Sequence, residues 1–298
     1  MASMNLMSQD RPALKLPLMR QVRQRCGFGC VICGCPIYEF DHILGWSKVQ
    51  RHVAEEITLL CDKHHRAKTA GFMPNDVVIE ANRRPHNTRQ DVSARYDLYY
   101  YGDTFQIELG KVTIAGEEGK HHGGCEAIRV DDQPLLWVKV EDKHLFLNLL
   151  VHDSEGRLAL QISDNELVLN VKSWDVEVVG TRIIIKEALR NILFDIQFKP
   201  PGRVIVHRGR FLYHGVEILI TPDWCALLNM AYVIQVRMIN VWAGIMVDSP
   251  NGPSSVVHFL DVRRTNWDRN KAISIIRKDM AVFSKSEKVL DQLLKTTP

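Results

Sequence analysis

The spacing of cysteines and histidines between Cys30 and Lys68 constrains this chain more than any other feature. Cys30 and Cys33 stand with two residues between them, and Cys61 and His64 repeat that spacing after an Asp41-His42 step. Two intervening residues let both side chains of a pair reach one ion without strain. Two such pairs supply the four ligands of a tetrahedral structural zinc. Buried thiols beside a surface histidine are the bland alternative, and the doubled spacing argues against it. Cys26 and Cys35 flank the set, but with three and one intervening residues they suit an ion less well. Once the four are assigned, Asp41, His42, Glu56 and His65 remain. These are polar groups of the kind a hydrolytic metal site uses.

Local patterning places these residues on a compact unit. Residues 1–14 read as a loose tail, and Pro17 suits the first turn of a short helix ending near Arg25. Residues 37–43 read as a strand with Asp41 and His42 at its end. A loop with Trp46, Lys48 and Arg51 leads to a second short strand over 57–60. A helix over 61–70 follows, and Gly71 suits its carboxy end. The result is a strand-strand-helix unit in which His42 on a strand end and His65 on the helix can converge.

Cys30-x2-Cys33, Asp41-His42 and Leu60-Cys61-x2-His64-His65-x2-Lys68 resemble the HNH endonuclease motif, the ββα-metal finger family, over residues 17–75. The resemblance implies a metal-dependent DNA endonuclease. It implies His42 as the general base that activates water, with Asp41 and His65 holding a catalytic Mg2+ or Mn2+. Cys30, Cys33, Cys61 and His64 would hold the bracing zinc. The sequence departs from the family pattern twice. His64 stands where a Cys is usual, and imidazole nitrogen ligates zinc as well. Glu56 stands where the middle Asn is usual. Glu can ligate a hard cation, but it adds negative charge and cannot donate a hydrogen bond. Glu56 is thus left with two roles, a place in the metal shell or the orientation of His42. The rival reading is a non-catalytic zinc-containing module that binds nucleic acid or protein.

Charge adds a modest signal. Formal charge is +3 over 298 residues, and residues 1–92 carry thirteen Lys and Arg against nine Asp and Glu. Arg20, Arg23 and Arg25 come just before the zinc spacing with no acidic residue among them. With Lys68 and Arg66, they are the expected phosphate contacts to DNA; a solvated helix face is the alternative for the first three. Five of the seven cysteines lie between Cys26 and Cys61. That clustering suits metal rather than a disulfide framework, and with no apolar amino-terminal run it implies a cytoplasmic protein.

The remaining chain is expected to be different in kind. Residues 76–95 are rich in Asn, Arg and Pro and read as a linker. Residues 96–222 alternate apolar and polar in several runs, as in Ile192, Phe194, Ile196 and Phe198, and read as an all-β domain. Gly156, Gly180 and Gly202 mark turns at similar spacing, which fits a sandwich or a short β-solenoid. Residues 223–298 read as mostly helical: a buried helix, or a helix with a strand, over 223–247, then a helix over 266–294. Polar residues in the first of these exclude a membrane span. The pair His121-His122 reads as a solvated hairpin tip. The expected class is α+β, with the β domain restraining the nuclease or docking a protein partner or a second copy of the chain. A nuclease joined to a large unrelated domain suits phage defence or mobile-element biology by analogy.

Overall fold

The computed structural model describes residues 11–120, 124–228, 232–251, 258–263 and 268–280. The chain is α+β and divides into two compact units between Gln90 and Asp91.

The first unit contains α1 (Leu16–Cys26), β1 (Glu39–His42), α2 (Trp46–Val49), β2 (Ile57–Leu60), α3 (Asp62–Thr69) and α4 (Asn75–Arg83). Helix α1 begins with Pro in its first turn and ends on Gly27, whose φ of 69° is left-handed. There the amides of Gly27 and Phe28 turn back onto the carbonyls of Gln24 and Arg23, a glycine-terminated cap. Strands β1 and β2 pair antiparallel with His42 opposite Ile57 and Asp41 opposite Thr58. Helix α3 then starts directly after β2, completing a ββα unit. Val22, Val31, Ile57, Leu59, Leu60 and Val78 form its buried core.

Val78 belongs to the stretch expected to be a linker. Residues 75–83 instead form α4, because Val78, Ile79 and Ala81 supply an apolar stripe that docks on the core. The next residues are tied down as well. The His86 amide donates to the Val31 carbonyl at 3.0 Å, and Asn87 Nδ2 donates to the Gly27 carbonyl at 2.9 Å. A Cβ on Gly29 would lie 2.5 Å from that Asn87 amide, so the close approach requires glycine. The expected loose tail is likewise ordered in part: Leu14 packs against the core.

Among the described residues the second unit holds two sheets. The first has eight strands in the spatial order 258–262, 243–247, 124–130, 133–141, 144–152, 158–163, 166–169 and 96–97. The second has ten; its main path runs 175–179, 182–188, 191–199, 203–213, 216–220, 225–227 and 232–234. Strand 104–109 adds in parallel beside 203–213, and strands 112–117 and 237–239 extend from it. Strands 124–130 through 166–169 and 175–179 through 232–234 pair with their neighbours as antiparallel hairpins, unlike the stacked parallel coils of a β-helix. Inward residues face one another across the ladders, as in Leu136 with Leu149 and Val138 with Leu147.

Several hairpins close with two residues at positive φ: Asp131-Asp132, Asp142-Lys143, Asp164-Asn165 and His214-Gly215. That is the turn geometry whose twist matches paired strands. Asp and Asn tolerate it, so the first three of these turns are built without glycine.

The 223–247 stretch forms strands at 225–227, 232–234, 237–239 and 243–247 rather than a buried helix. Seven of its residues are Val or Ile, which favour strands, and its short apolar runs carry no period that separates helix from buried strand. Helix α5 (Arg269–Met280) follows, with Ile273 and Ile276 packed on Leu219, Trp224 and Ala226. The remainder of the expected carboxy-terminal helix, and His121-His122, lie outside the described residues. No helix among the described residues is long and apolar enough to cross a membrane.

Candidate metal centre and its neighbouring histidines

The turn after α1 brings the first two cysteines together. The Cys30 amide donates to the Cys35 carbonyl at 2.9 Å and the Gly34 amide to the Cys30 carbonyl at 2.8 Å. Gly34 sits at φ 77°, where a side chain would be strained. The Val31 amide then joins the knuckle to the Leu59 carbonyl, next to Cys61. As a result one donor atom from each of Cys30, Cys33, Cys61 and His64 lies within 4.8 Å of the others.

The individual separations suit a single ion. Cys33 Sγ and Cys61 Sγ are 3.7 Å apart, and His64 Nδ1 lies 3.4 Å from Cys30 Sγ and 3.3 Å from Cys61 Sγ. A tetrahedral zinc with ordinary bond lengths has S···S edges of about 3.8 Å and S···N edges of about 3.5 Å. The donor set, three thiols and an imidazole, can therefore hold zinc. The Cys33 thiol donates to Cys30 and pushes its pKa down to about 4. The same hydrogen bond pushes Cys33 up, and burial pushes Cys61 up. Three crowded thiols resist deprotonating together until a cation shares their charge. Cys26 lies apart, against Thr58 and Asn82.

Asp41 on β1 and His65 on α3, the pair that the resemblance assigns to a cation, come together, with His65 Nε2 3.5 Å from Asp41 Oδ1; the His42 ring instead meets Arg11, Arg51, His52 and Trp46. Glu39, two residues earlier on the same strand face, reaches His65 Nδ1 at 2.8 Å. A carboxylate there accepts the Nδ1 proton and leaves the Nε2 lone pair turned toward Asp41. This is how a second carboxylate usually orients a metal-binding imidazole. Sequence reading missed Glu39, although its period-two relation to Asp41 was visible.

Lys68 has a different role from the one expected. Its ammonium pairs with Asp41 Oδ2 and donates to the His42 carbonyl at 2.6 Å, and the side chain is only 8 % exposed. It is spent holding the end of β1. Arg23 is 3 % exposed, and Arg25 donates to the carbonyls of Ala54 and Ile57, so neither faces a phosphate. Arg20 is half-buried, and Arg66 is exposed on α3.

His42 is 1 % exposed and packs edge-on to Trp46, with ring centroids 5.1 Å apart. Its partners settle its tautomer. The Pro12 carbonyl can only accept, so His52 Nε2, at 2.7 Å, carries a proton. His52 Nδ1 lies 3.2 Å from His42 Nε2, and the Arg51 carbonyl, which can only accept, lies 3.2 Å from the same nitrogen. His42 Nε2 is accordingly protonated, and Nδ1 holds the free lone pair. Arg11, a donor only, reaches that Nδ1 from 3.1 Å. Burial lowers the His42 pKa, and the charges of Arg11 and His52 lower it further. The group is a neutral imidazole whose Nδ1 lone pair meets Arg11.

Glu56 does not join Asp41 and His65. Its carboxylate takes both ends of the Arg51 guanidinium, at 3.1 and 3.0 Å from Nε. That contact holds its pKa low, and it pins the residue whose carbonyl receives the His42 proton. Of the two roles open to Glu56, its placement corresponds to orientation of His42, through Arg51. His52 and Arg11 were not singled out from sequence. They stand ten and thirty-one residues from His42, and no spacing rule links them.

Comparison with protein-family models, curated proteins and solved structures finds no match to this chain.

Proposed function

We propose that the first unit is an HNH-type, metal-dependent endonuclease that hydrolyses phosphodiester bonds in DNA. The observation that carries this reading is the ββα arrangement in which Asp41 pairs with His65 and the next residue of β1, His42, presents an Nδ1 lone pair that only the exposed Arg11 meets. His42 Nδ1 takes the proton of the attacking water, and the Arg51 carbonyl steadies the imidazolium through Nε2–H. Asp41 and His65 Nε2 would hold a divalent cation, which supplies charge stabilisation to the reacting phosphate when bound. Glu39 keeps His65 in the tautomer this needs. Arg66, exposed on α3, contacts a flanking phosphate. The zinc set maintains the angle between β2 and α3. The β unit contributes none of these residues, and we assign it recognition or regulation.

One specific observation favours the alternative of a non-catalytic nucleic-acid- or protein-binding module. Asp41 and Glu56 are both already charge-matched, by Lys68 and Arg51. Nicking of supercoiled plasmid in Mg2+ or Mn2+ separates the two readings. The proposal expects His42→Ala to lose about 10²–10⁴-fold in rate with zinc content and folding unchanged. Equal nicking by wild type and His42→Ala would overturn it, and an inert wild type would favour the binding module.

A further inference from the structure

We propose that Arg11 is the cation that contacts the scissile phosphate, and that in the absence of DNA it caps the lone pair of His42. The inference rests on the reading of His42 as the general base.

Arg11 is exposed, and its guanidinium meets two uncharged partners: His42 Nδ1 at 3.1 Å and the Trp46 ring, 5.3 Å from the guanidinium carbon to the centroid. Among the described residues it has no carboxylate partner. The other cations around His42 are committed. Lys68 holds Asp41, Arg51 holds Glu56, and Arg25 holds two backbone carbonyls. A phosphate carries the negative charge that an imidazole nitrogen lacks and can take the guanidinium at two oxygens. A phosphate therefore displaces the imidazole nitrogen from Arg11.

Position gives the same answer. A water activated by His42 must lie within about 2.6–3.2 Å of Nδ1. Arg11 occupies that position now, so a phosphate in line with the water lies within reach of its guanidinium. The backbone beside it is anchored, because the Pro12 carbonyl accepts from His52 at 2.7 Å. Only the side chain need swing. A phosphate oxygen that draws Arg11 away also uncovers Nδ1, so the base is released when substrate is present.

The test uses the full, zinc-loaded chain as wild type, Arg11→Ala, Arg11→Lys and His42→Ala, with a short blunt DNA duplex as probe. Binding is measured against salt in chelator too weak to remove zinc, and cleavage in Mg2+ or Mn2+. Arg11→Ala is expected to reduce the slope of log affinity against log salt by about one and to cut roughly 10–100-fold more slowly. Added guanidinium ion should restore part of that loss, but none of the loss in His42→Ala. Arg11→Lys should keep the salt slope and recover cleavage partially. Wild-type slope and rate in Arg11→Ala, with His42→Ala inactive, would overturn the inference alone. Faster cutting by Arg11→Ala would also overturn it, by making Arg11 a plug only. A wild-type chain that neither binds nor cuts the duplex would overturn both the inference and the reading beneath it.

Discussion

The two units bury their cores by different means. The β unit draws on long hairpins whose inward faces supply large, fully buried side chains, Phe194, Phe211 and Trp224 among them. The ββα unit has a small core, and its buried cluster includes Cys26, Cys30 and Cys61. Two of those three belong to the zinc-like set. Small units bury too little apolar surface to stand alone and commonly add a metal. The comparison teaches where each unit should fail: the first through its ligands, the second through its packing.

The largest expected effect breaks the first side of that comparison. Cys61→Ser removes one of four ligands, and structural zinc contributes about 10–16 kcal/mol of apparent folding free energy in small metal domains. The ββα unit should become protease-sensitive and zinc-free, while the β unit keeps its cooperative thermal transition. Loss of both transitions together would show that the β unit depends on the first. Expressing residues 91–298 alone sharpens the point, and a fragment with β-type circular dichroism and a sharp melt is the expected outcome.

Next in size is Phe194→Ala. Its ring is fully buried and sits edge-on to Phe211, with centroids 5.1 Å apart. The cavity should cost about 3–5 kcal/mol. Only the β transition should move, with zinc content unchanged.

The smallest effect is a pH dependence within the β unit. Arg203 hydrogen-bonds Glu108 and holds its carboxyl below the usual range. A depressed acid adds stability above its unfolded pKa, about 4.3, and that contribution is lost as pH falls through its folded value. Glu108→Gln should therefore flatten the fall in β-unit melting temperature below about pH 4.3 and lower that temperature slightly at neutral pH. An unchanged acid limb would remove Glu108 from the account.

Legibility in the sequence divides along the same line. The zinc-like set, the Asp41–His65 convergence and the ββα order could be read because local spacing fixes them. Contacts that depend on tertiary approach could not. Arg11 and His52 meet His42 only because loop and tail fold back over β1. Lys68 and Arg25 looked like phosphate contacts because their charge was visible and their buried partners were not. In the β unit, alternation identified strands where one face is buried. It failed over 223–247, where strands 225–227 and 243–247 are buried on both faces and lose the alternation. Alternation gives no sign of α4 either, because its short apolar stripe, Val78, Ile79 and Ala81, lies among polar neighbours that read as a linker.

The central claim is that one ββα unit holds two metals with separate duties, zinc to brace and a second cation to support hydrolysis at His42. Cleavage of plasmid by protein of known zinc content, as Mg2+ or Mn2+ is titrated back after mild chelation, tests it most directly. The account expects one retained zinc per chain, no cutting without added cation, and saturable cutting on its return. Full activity with zinc alone, or no activity with either cation while zinc is retained, would contradict it.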